Sequence, residues 1–519
     1  MEVSPDRGTY SPGQPVRINV LAPGHDGASI QASVSHLTTE VAHLESRLGN
    51  DGRAILEWTP PPDNPRGYGV DIEIARPGDQ SLEASTAFDV LSHWGQRPRY
   101  GFVTDFAPGR PVDQVVEALL PFHINALQFY DWQYRHDHLV APTEDYHDPL
   151  GRSLSLDTVM RLVQSARARG IGAMAYAAVY AASIDFQRDH PGWALHDSNG
   201  KSLEFEDFLG YMDPTSGRAW SDHLLDQCRR AITEVGFEGI HLDQYGEPRR
   251  AFDFDGDEVD LPSAFVDFIA DLKRHRPQAP VTLNAVKNWP MDELAASQED
   301  FYYVEVWSDT PSYSDLEDVV RRARESGRGK QVVVAIYIPS DREANILLVD
   351  SMILAAGGTR IELGEEARLL TDPYFPKHEP LSSKLEEVLL QFWDTAVRYG
   401  DVLFDRASSD VGFEVEAPDE IRARAHLSLG WQVVTLVNFA GLKDARWDLA
   451  HLAPVPLEDV HVKFRSRHPI VGLWWVNPAG RSACPQLLDL EIEDGSGQVV
   501  IPSLSYWGFL LFKLEGTGT

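Results

Sequence analysis

The chain is poor in cysteine and in positive charge. Only Cys228 and Cys484 occur in 519 residues. A disulfide framework is therefore excluded, and neither cysteine has a partner at metal-ligand spacing. Lys and Arg number 46 against 79 Asp and Glu, a net charge of −33. That balance repels a nucleic-acid backbone or an anionic membrane and suits a neutral partner. No apolar run reaches the roughly eighteen residues that span a bilayer. Glycine-rich phosphate turns of the GxGxxG or GxxxxGK[ST] kind are missing, and so is a GxSxG elbow. Nucleotide binding and Ser-His-Asp hydrolysis thus have nothing to stand on. The start, Met1-Glu2-Val3-Ser4-Pro5-Asp6, has no basic n-region and no apolar h-region. A cytoplasmic location is the expectation, or secretion if a leader was trimmed.

Apolar and aromatic residues are plentiful, at 43% and 10% of the chain. They suffice for about two to four separate cores. Residues 1–95 alternate with period two, as in Val16-Arg17-Ile18-Asn19-Val20 and Val70-Asp71-Ile72-Glu73-Ile74. Turn signals punctuate them at Pro12-Gly13, Pro23-Gly24, Asn50-Asp51-Gly52 and Pro77-Gly78. This predicts an N-terminal immunoglobulin-like β-sandwich. Trp94-Gly95-Gln96-Arg97-Pro98 reads as a linker. From residue 96 to 402 short apolar runs alternate with helical patterns. Candidate strands fall at 100–106, 126–131, 172–179, 239–243, 281–285, 302–307, 331–338 and 359–363, with helices such as 112–120, 156–169, 221–235, 262–274, 313–326 and 343–355 between them. Eight such units predict a central (β/α)8 TIM barrel, with a doubly wound sheet as the competing architecture. A long helix at 381–399 follows, and residues 403–519 return to strands, predicting a C-terminal β-sandwich. The expected whole is a multidomain α/β plus all-β chain.

In a barrel, polar residues at the C-terminal strand ends face the site. Those residues here are Asp105, Asp131-Trp132, Tyr176, Asp243, Asn284, Glu305, Trp307, Tyr337 and Glu362, with Gln244 and Tyr245 beside Asp243. Acids and amides hydrogen-bond hydroxyls, and aromatic faces pack on sugar rings. Two carboxyls at nearby strand tips are the minimum for cleaving a glycosidic bond. Asp243 has hydrogen-bond donors next to it, which suits an ionised nucleophile. Glu305 lies between Val304 and Val306, and an apolar setting raises a carboxyl pKa, which suits an acid. Tyr134-Arg135-His136-Asp137-His138 lacks a third metal ligand. Asp253-Phe254-Asp255-Gly256-Asp257 has its glycine misplaced for a calcium loop, and Ala264 stands where the bidentate Glu belongs. No metal and no organic cofactor is expected.

The runs Gly101-Phe102-Val103-Thr104-Asp105-Phe106, Asn125-Ala126-Leu127-Gln128-Phe129-Tyr130-Asp131-Trp132, 239–246 and Val304-Glu305-Val306-Trp307 resemble glycoside hydrolase family 66. That family holds endo-dextranases and cycloisomaltooligosaccharide glucanotransferases. The resemblance implies a retaining attack on α-1,6-linked glucan, dextran or isomalto-oligosaccharide, with Asp243 as nucleophile and Glu305 as acid/base. It also implies that Asp131-Trp132 surrounds the −1 sugar. Glucanotransferase members carry an extra sugar-binding module after strand seven. Here that join is only Pro339-Ser340-Asp341-Arg342, which favours hydrolysis over cyclisation. The alternatives are a transglucosylating enzyme of the same family and a non-catalytic carbohydrate-binding protein.

Overall fold

The computed structural model describes residues 1–63, 65–75, 81–406, 412–480 and 483–516. The Pro77-Gly78 turn lies outside the described residues. Period-two alternation sets the first two sheets. In Val16–Leu21, Val16, Ile18 and Val20 are buried while Arg17 and Asn19 face out. That strand lies between Glu2–Pro5 and Arg53–Trp58 in a three-stranded antiparallel sheet. A four-stranded sheet takes the order Thr39–Arg47, Ser29–His36, Arg66–Ala75, Leu82–Val90. Their inner faces share a core that includes Tyr10, Ile30, Val70, Ile72 and Phe88.

The central sheet has eleven strands and is curled. Its parallel strands are β1 (Tyr100–Val103), β2 (Ala126–Phe129), β3 (Gly172–Ala178), β4 (Gly239–Asp243), β5 (Val281–Val286), β6 (Tyr302–Glu305), β7 (Val332–Ala335) and β8 (Thr359–Ile361). Each pairs in parallel with the next. One residue beyond β8 the chain continues as Leu363–Gly364, where Gly364 pairs in parallel with Phe102 of β1. Helices return the chain between strands. Leu156–Ala168, Leu261–His275, Tyr313–Ser326 and Ser383–Arg398 are each capped by a side chain, from Ser155, Asp260, Ser312 and Ser382. Each cap accepts an otherwise orphaned backbone N–H. Glu343–Ala356 is apolar on every side and buried on nearly all of its length. Strand Trp431–Asn438 covers its outer face, with Thr435 Oγ1 donating to Ala355 O at 3.3 Å.

Residues 413–514 form two more antiparallel sheets. One orders Phe413–Glu416, Leu457–Ser466, Ser496–Leu504 and Glu491–Glu493; the other orders Ile421–Ser428, Trp431–Asn438, Trp507–Leu514, Ile470–Val476 and Gln486–Leu487. Val462, Phe464, Trp475, Ile501 and Phe512 fill the space between them. Among the described residues no helix is long and apolar enough to cross a membrane.

Several details depart from the sequence reading, and the strands expected over 126–131, 302–307 and 331–338 end earlier, at Phe129, Glu305 and Ala335. β1 stops at Val103 rather than 106, because the Glu365 carboxylate accepts the backbone N–H groups of Thr104 and Asp105. The helix expected over 112–120 is a short turn, Val112–Glu117, followed by a 3-10 turn at Leu120–Phe122. The segment read as a linker is packed. Trp94 and Arg97 are buried, and Trp94 Nε1 donates to Glu238 at 3.0 Å. Three arginines tie this region together. Arg97 pairs with Asp401 and Asp405, at 3.2 and 2.5 Å. Arg99 grips Asp89 with two bonds of 2.6 and 3.0 Å, and also donates to Gly8 O and His123 O. Arg398 reaches from its helix to Asp71 and Ser35.

Candidate active site

Asp243 is the last residue of β4 and Glu305 the last of β6. β5 runs between them and supplies Asn284. The Asn284 Nδ2 donates to Asp243 Oδ1 at 2.9 Å and to Glu305 Oε2 at 2.8 Å. Both amide hydrogens are spent, one on each carboxyl. The two bond lengths end to end limit these carboxyl oxygens to a separation of about 5.7 Å. Tyr176 on β3 donates its hydroxyl to Asp243 Oδ2 at 2.8 Å, and the Gln244 N–H donates to Oδ1 at 2.9 Å. Tyr337 donates to Glu305 Oε1 at 2.9 Å. The side chains meet because strand tips project residues of one parity into a common space.

Burial and the neighbouring Glu305 carboxyl push Asp243 up to about 7, against the lowering pull of Tyr176, Asn284 and the Gln244 N–H. Burial also raises Glu305, opposed by Asn284 and Tyr337. Carboxyls this close titrate as a pair, so the second proton leaves only after the first charge is in place. Both carboxyls are thus held above their ordinary range, and the Glu305 charge is part of the reason for Asp243. Activity should therefore rise as the first proton leaves the pair and fall as the second leaves. Removing the neighbouring charge in Glu305→Gln should move the Asp243 titration to lower pH. Infrared or NMR titration of that carboxyl checks the sign, and an upward or absent shift contradicts it.

The pair opens into a cavity of about 720 Å³. Asp131, Tyr176, Asp243, Gln244, Tyr245, Asn284, Glu305 and Trp307 all line it. Two of the expected substrate contacts stand elsewhere. Asp105 is outside the cavity; its carboxylate accepts the Ala107 N–H at 3.0 Å and faces Arg110, so it shapes the loop after β1. Trp132 is fully buried in the wall. Asp131 takes a positive φ of 52°, which turns the next side chain away from the opening. The Trp132 indole then donates to Tyr176 O at 3.2 Å and packs against Phe237. It supports β3 from behind. Gln244 lines the cavity with its amide already committed, donating to Asn284 O and Trp289 O and accepting from the Gly246 N–H. It straps the loops after β4 and β5 together. Glu362, one residue past β8, points outward to Arg360, which also holds Asp350.

Asp131 lines the same cavity, its carboxyl pushed up to about 7 by burial against the pull of Arg152. Sequence reasoning overlooked several lining residues. Tyr130 precedes Asp131 and stacks on Phe375, with ring centroids 4.3 Å apart. Position alone, one residue before a strand-end acid, was the available signal. His136, kept neutral because burial pushes it down to about 4, lines the wall beside Tyr176. It was weighed only as a metal ligand. Among the described residues no cluster of three or more His, Cys, Asp or Glu is placed to hold a metal. Asp253 accepts the N–H groups of Asp255 and Asp257 and pairs with Arg218.

The model of glycosyl hydrolase family 66 matches residues 5–511. The chain belongs to this family. Two enzymes are similar to it at modest identity. A cycloisomaltooligosaccharide glucanotransferase of Niallia circulans is 28% identical over 374 residues, covering 64% of this chain and 37% of that protein. A dextranase of Streptococcus salivarius is 25% identical over 396 residues, covering 60% of this chain and 47% of that protein. The chain thus spans less than half the length of these relatives. The crystal structure of a Paenibacillus sp. cycloisomaltooligosaccharide glucanotransferase, complexed with cycloisomaltoheptaose, superposes with a TM-score of 0.90 at 21% identity, covering 98% of this chain and 99% of that one. Its likeness is one of fold.

Proposed function

We propose that the protein is a retaining glycoside hydrolase that cleaves α-1,6-glucosidic linkages of dextran or isomalto-oligosaccharides. The observation that carries this reading is the single Asn284 amide nitrogen shared by Asp243 and Glu305. Two acceptors on one planar amide lie roughly 5 Å apart, the spacing of a retaining pair; an inverting pair stands about 6.5–9.5 Å apart to admit a water. Glu305 gives its proton to the glycosidic oxygen as Asp243 attacks the anomeric carbon. Glu305, now ionised, takes a proton from water, and that water releases the glucosyl group from Asp243. Both steps keep the pair's total charge near −1, which the four surrounding donors are set to hold.

The fold reading that goes with this is a closed (β/α)8 barrel. It is supported by the pairing of β8 with β7 and of its continuation with β1. We divide the chain near residues 95 and 402 into an N-terminal sandwich, the barrel and a C-terminal sandwich. The α-1,6 linkage is supported by the names of the relatives. Hydrolysis is supported by the short link from Ala335 to Glu343, where β7 meets its helix. Transglucosylation is the second reading, favoured by the glucanotransferase named among those relatives.

Incubation with dextran and with isomaltotetraose tests the proposal, with products separated by chromatography and the first-formed anomer read by proton NMR. Linear isomalto-oligosaccharides released with the α-configuration are expected. Cyclic products would move the assignment to transfer, and a β-anomer released first would overturn retention.

A further inference from the structure

Beside the catalytic pair the cavity has an aromatic wall that the reaction does not use. It is carried by a hairpin, Glu204–Phe205 with Leu209–Tyr211, in the long excursion after β3. Phe205 lies flat on Tyr245, with ring centroids 4.5 Å apart and planes 18° apart. Tyr245 is two residues beyond Asp243. Phe208 stands at the tip, 6.1 Å from Phe205, and is 37% exposed. All three rings line the catalytic cavity. An aromatic track therefore runs from the nucleophile out to the rim.

A lone exposed phenylalanine is ordinary on a protein surface. This one is held out by a costly turn. Glu206 and Asp207 both have positive φ, 48° and 60°, and the Phe208 N–H bonds Phe205 O at 3.2 Å. Turns of this kind select Asn and Gly, because other side chains crowd the backbone. The base of the hairpin is pinned. Gln187 Nε2 donates to Leu203 O at 2.9 Å and to Tyr211 O at 3.1 Å. Gly210 leaves room for that amide, since a Cβ there would overlap it. A pinned base and an unfavourable tip together fix Phe208 against the cavity. Glu206 lines the same wall and disfavours an anionic ligand.

We propose that Phe208 and the Phe205–Tyr245 stack form an additional sugar subsite, which takes a neutral glucosyl unit at least one residue removed from the scissile bond. Phe208 is its specificity-determining residue. This rests on the glucan reading of the preceding section. The apolar face of a pyranose would lie on the Phe208 ring, and the Glu206 carboxylate would accept from its hydroxyls.

The experiment is kcat/KM across isomalto-oligosaccharides of increasing length for the wild-type chain, Phe208→Ala and Phe208→Trp, with Tm measured for each. Wild-type turnover of the series is the separate check on the α-1,6 reading. Given that turnover, Phe208→Ala should lose about three- to tenfold on the long members while the shortest substrate and Tm stay unchanged. Phe208→Trp should restore the length dependence. An equal loss at every length, or no loss at any, overturns the subsite. To separate tip strain from binding, Asp207→Asn, at the other positive-φ position of the turn and outside the cavity lining, should raise Tm and keep the length dependence. Loss of the length dependence in that variant, with Phe208 intact, also overturns the assignment of Phe208.

Discussion

Asp243→Asn is expected to lower kcat by about four orders of magnitude with the fold intact, and Glu305→Gln to do the same on natural glucan. Both are isosteric. Asn at 243 still offers one oxygen to Tyr176 or Asn284, so the cavity keeps its shape, but the amide cannot form the covalent glucosyl intermediate. Gln at 305 keeps the contact with Asn284 and cannot deliver a proton. The two variants should differ in how they respond to the leaving group. A glucoside with a well-stabilised aryl leaving group needs no protonation, so Glu305→Gln should form the glucosyl-enzyme from it at close to the normal rate. It should then stall, since no base activates water. Asp243→Asn should remain inert. Azide should rescue Glu305→Ala with retention by attacking the intermediate from the side that water uses. Steady-state and burst kinetics on both substrate types, with Tm as the folding control, decide the matter. Near-normal activity of either variant on dextran removes that residue from its role.

The second large effect concerns stability. Asp89→Ala should destabilise the protein by about 3–5 kcal/mol, because it strands the Arg99 guanidinium in a place where water does not reach. Neither partner is more than 1% exposed at its side chain, so solvent screening does not soften the loss. The double change Asp89→Leu with Arg99→Met should be milder than the single one, since it removes both charges together. Denaturant unfolding of the three variants would show the order. A double variant at least as unstable as Asp89→Ala would mean that the backbone contacts of Arg99, to Gly8 and His123, carry most of the effect.

Much of this architecture is written locally. Val16, Ile18 and Val20 alternate because a half-buried strand demands it, and the runs ending in Asp243 and Glu305 are apolar because both faces of the curled sheet are covered. The carboxyls could be named because parity and strand ends are visible in one dimension. Trp132 could not be placed that way. Its direction depends on the φ of Asp131, and neither residue announces that turn. Gln244 was read as a sugar ligand because an amide beside a nucleophile looks available; its partners, Asn284 O and Trp289 O, are some forty residues away. Phe205, Phe208 and His136 sit in long loops whose course is set by distant anchors such as Gln187. Arg97 looked like linker because Asp401 and Asp405 lie about three hundred positions later.

Those long-range arginine contacts limit how the chain can be recombined. Asp71, Asp89 and Ser35 belong to the opening sheets, yet they neutralise or ligate guanidinium groups rooted further along. A graft that replaced the first ninety residues with a foreign sandwich would inherit two cations with no counterpart. Chimeras should succeed only when the donor brings acids at the positions of Asp71 and Asp89, or when the recipient's Arg99 and Arg398 are exchanged for uncharged residues in the same step.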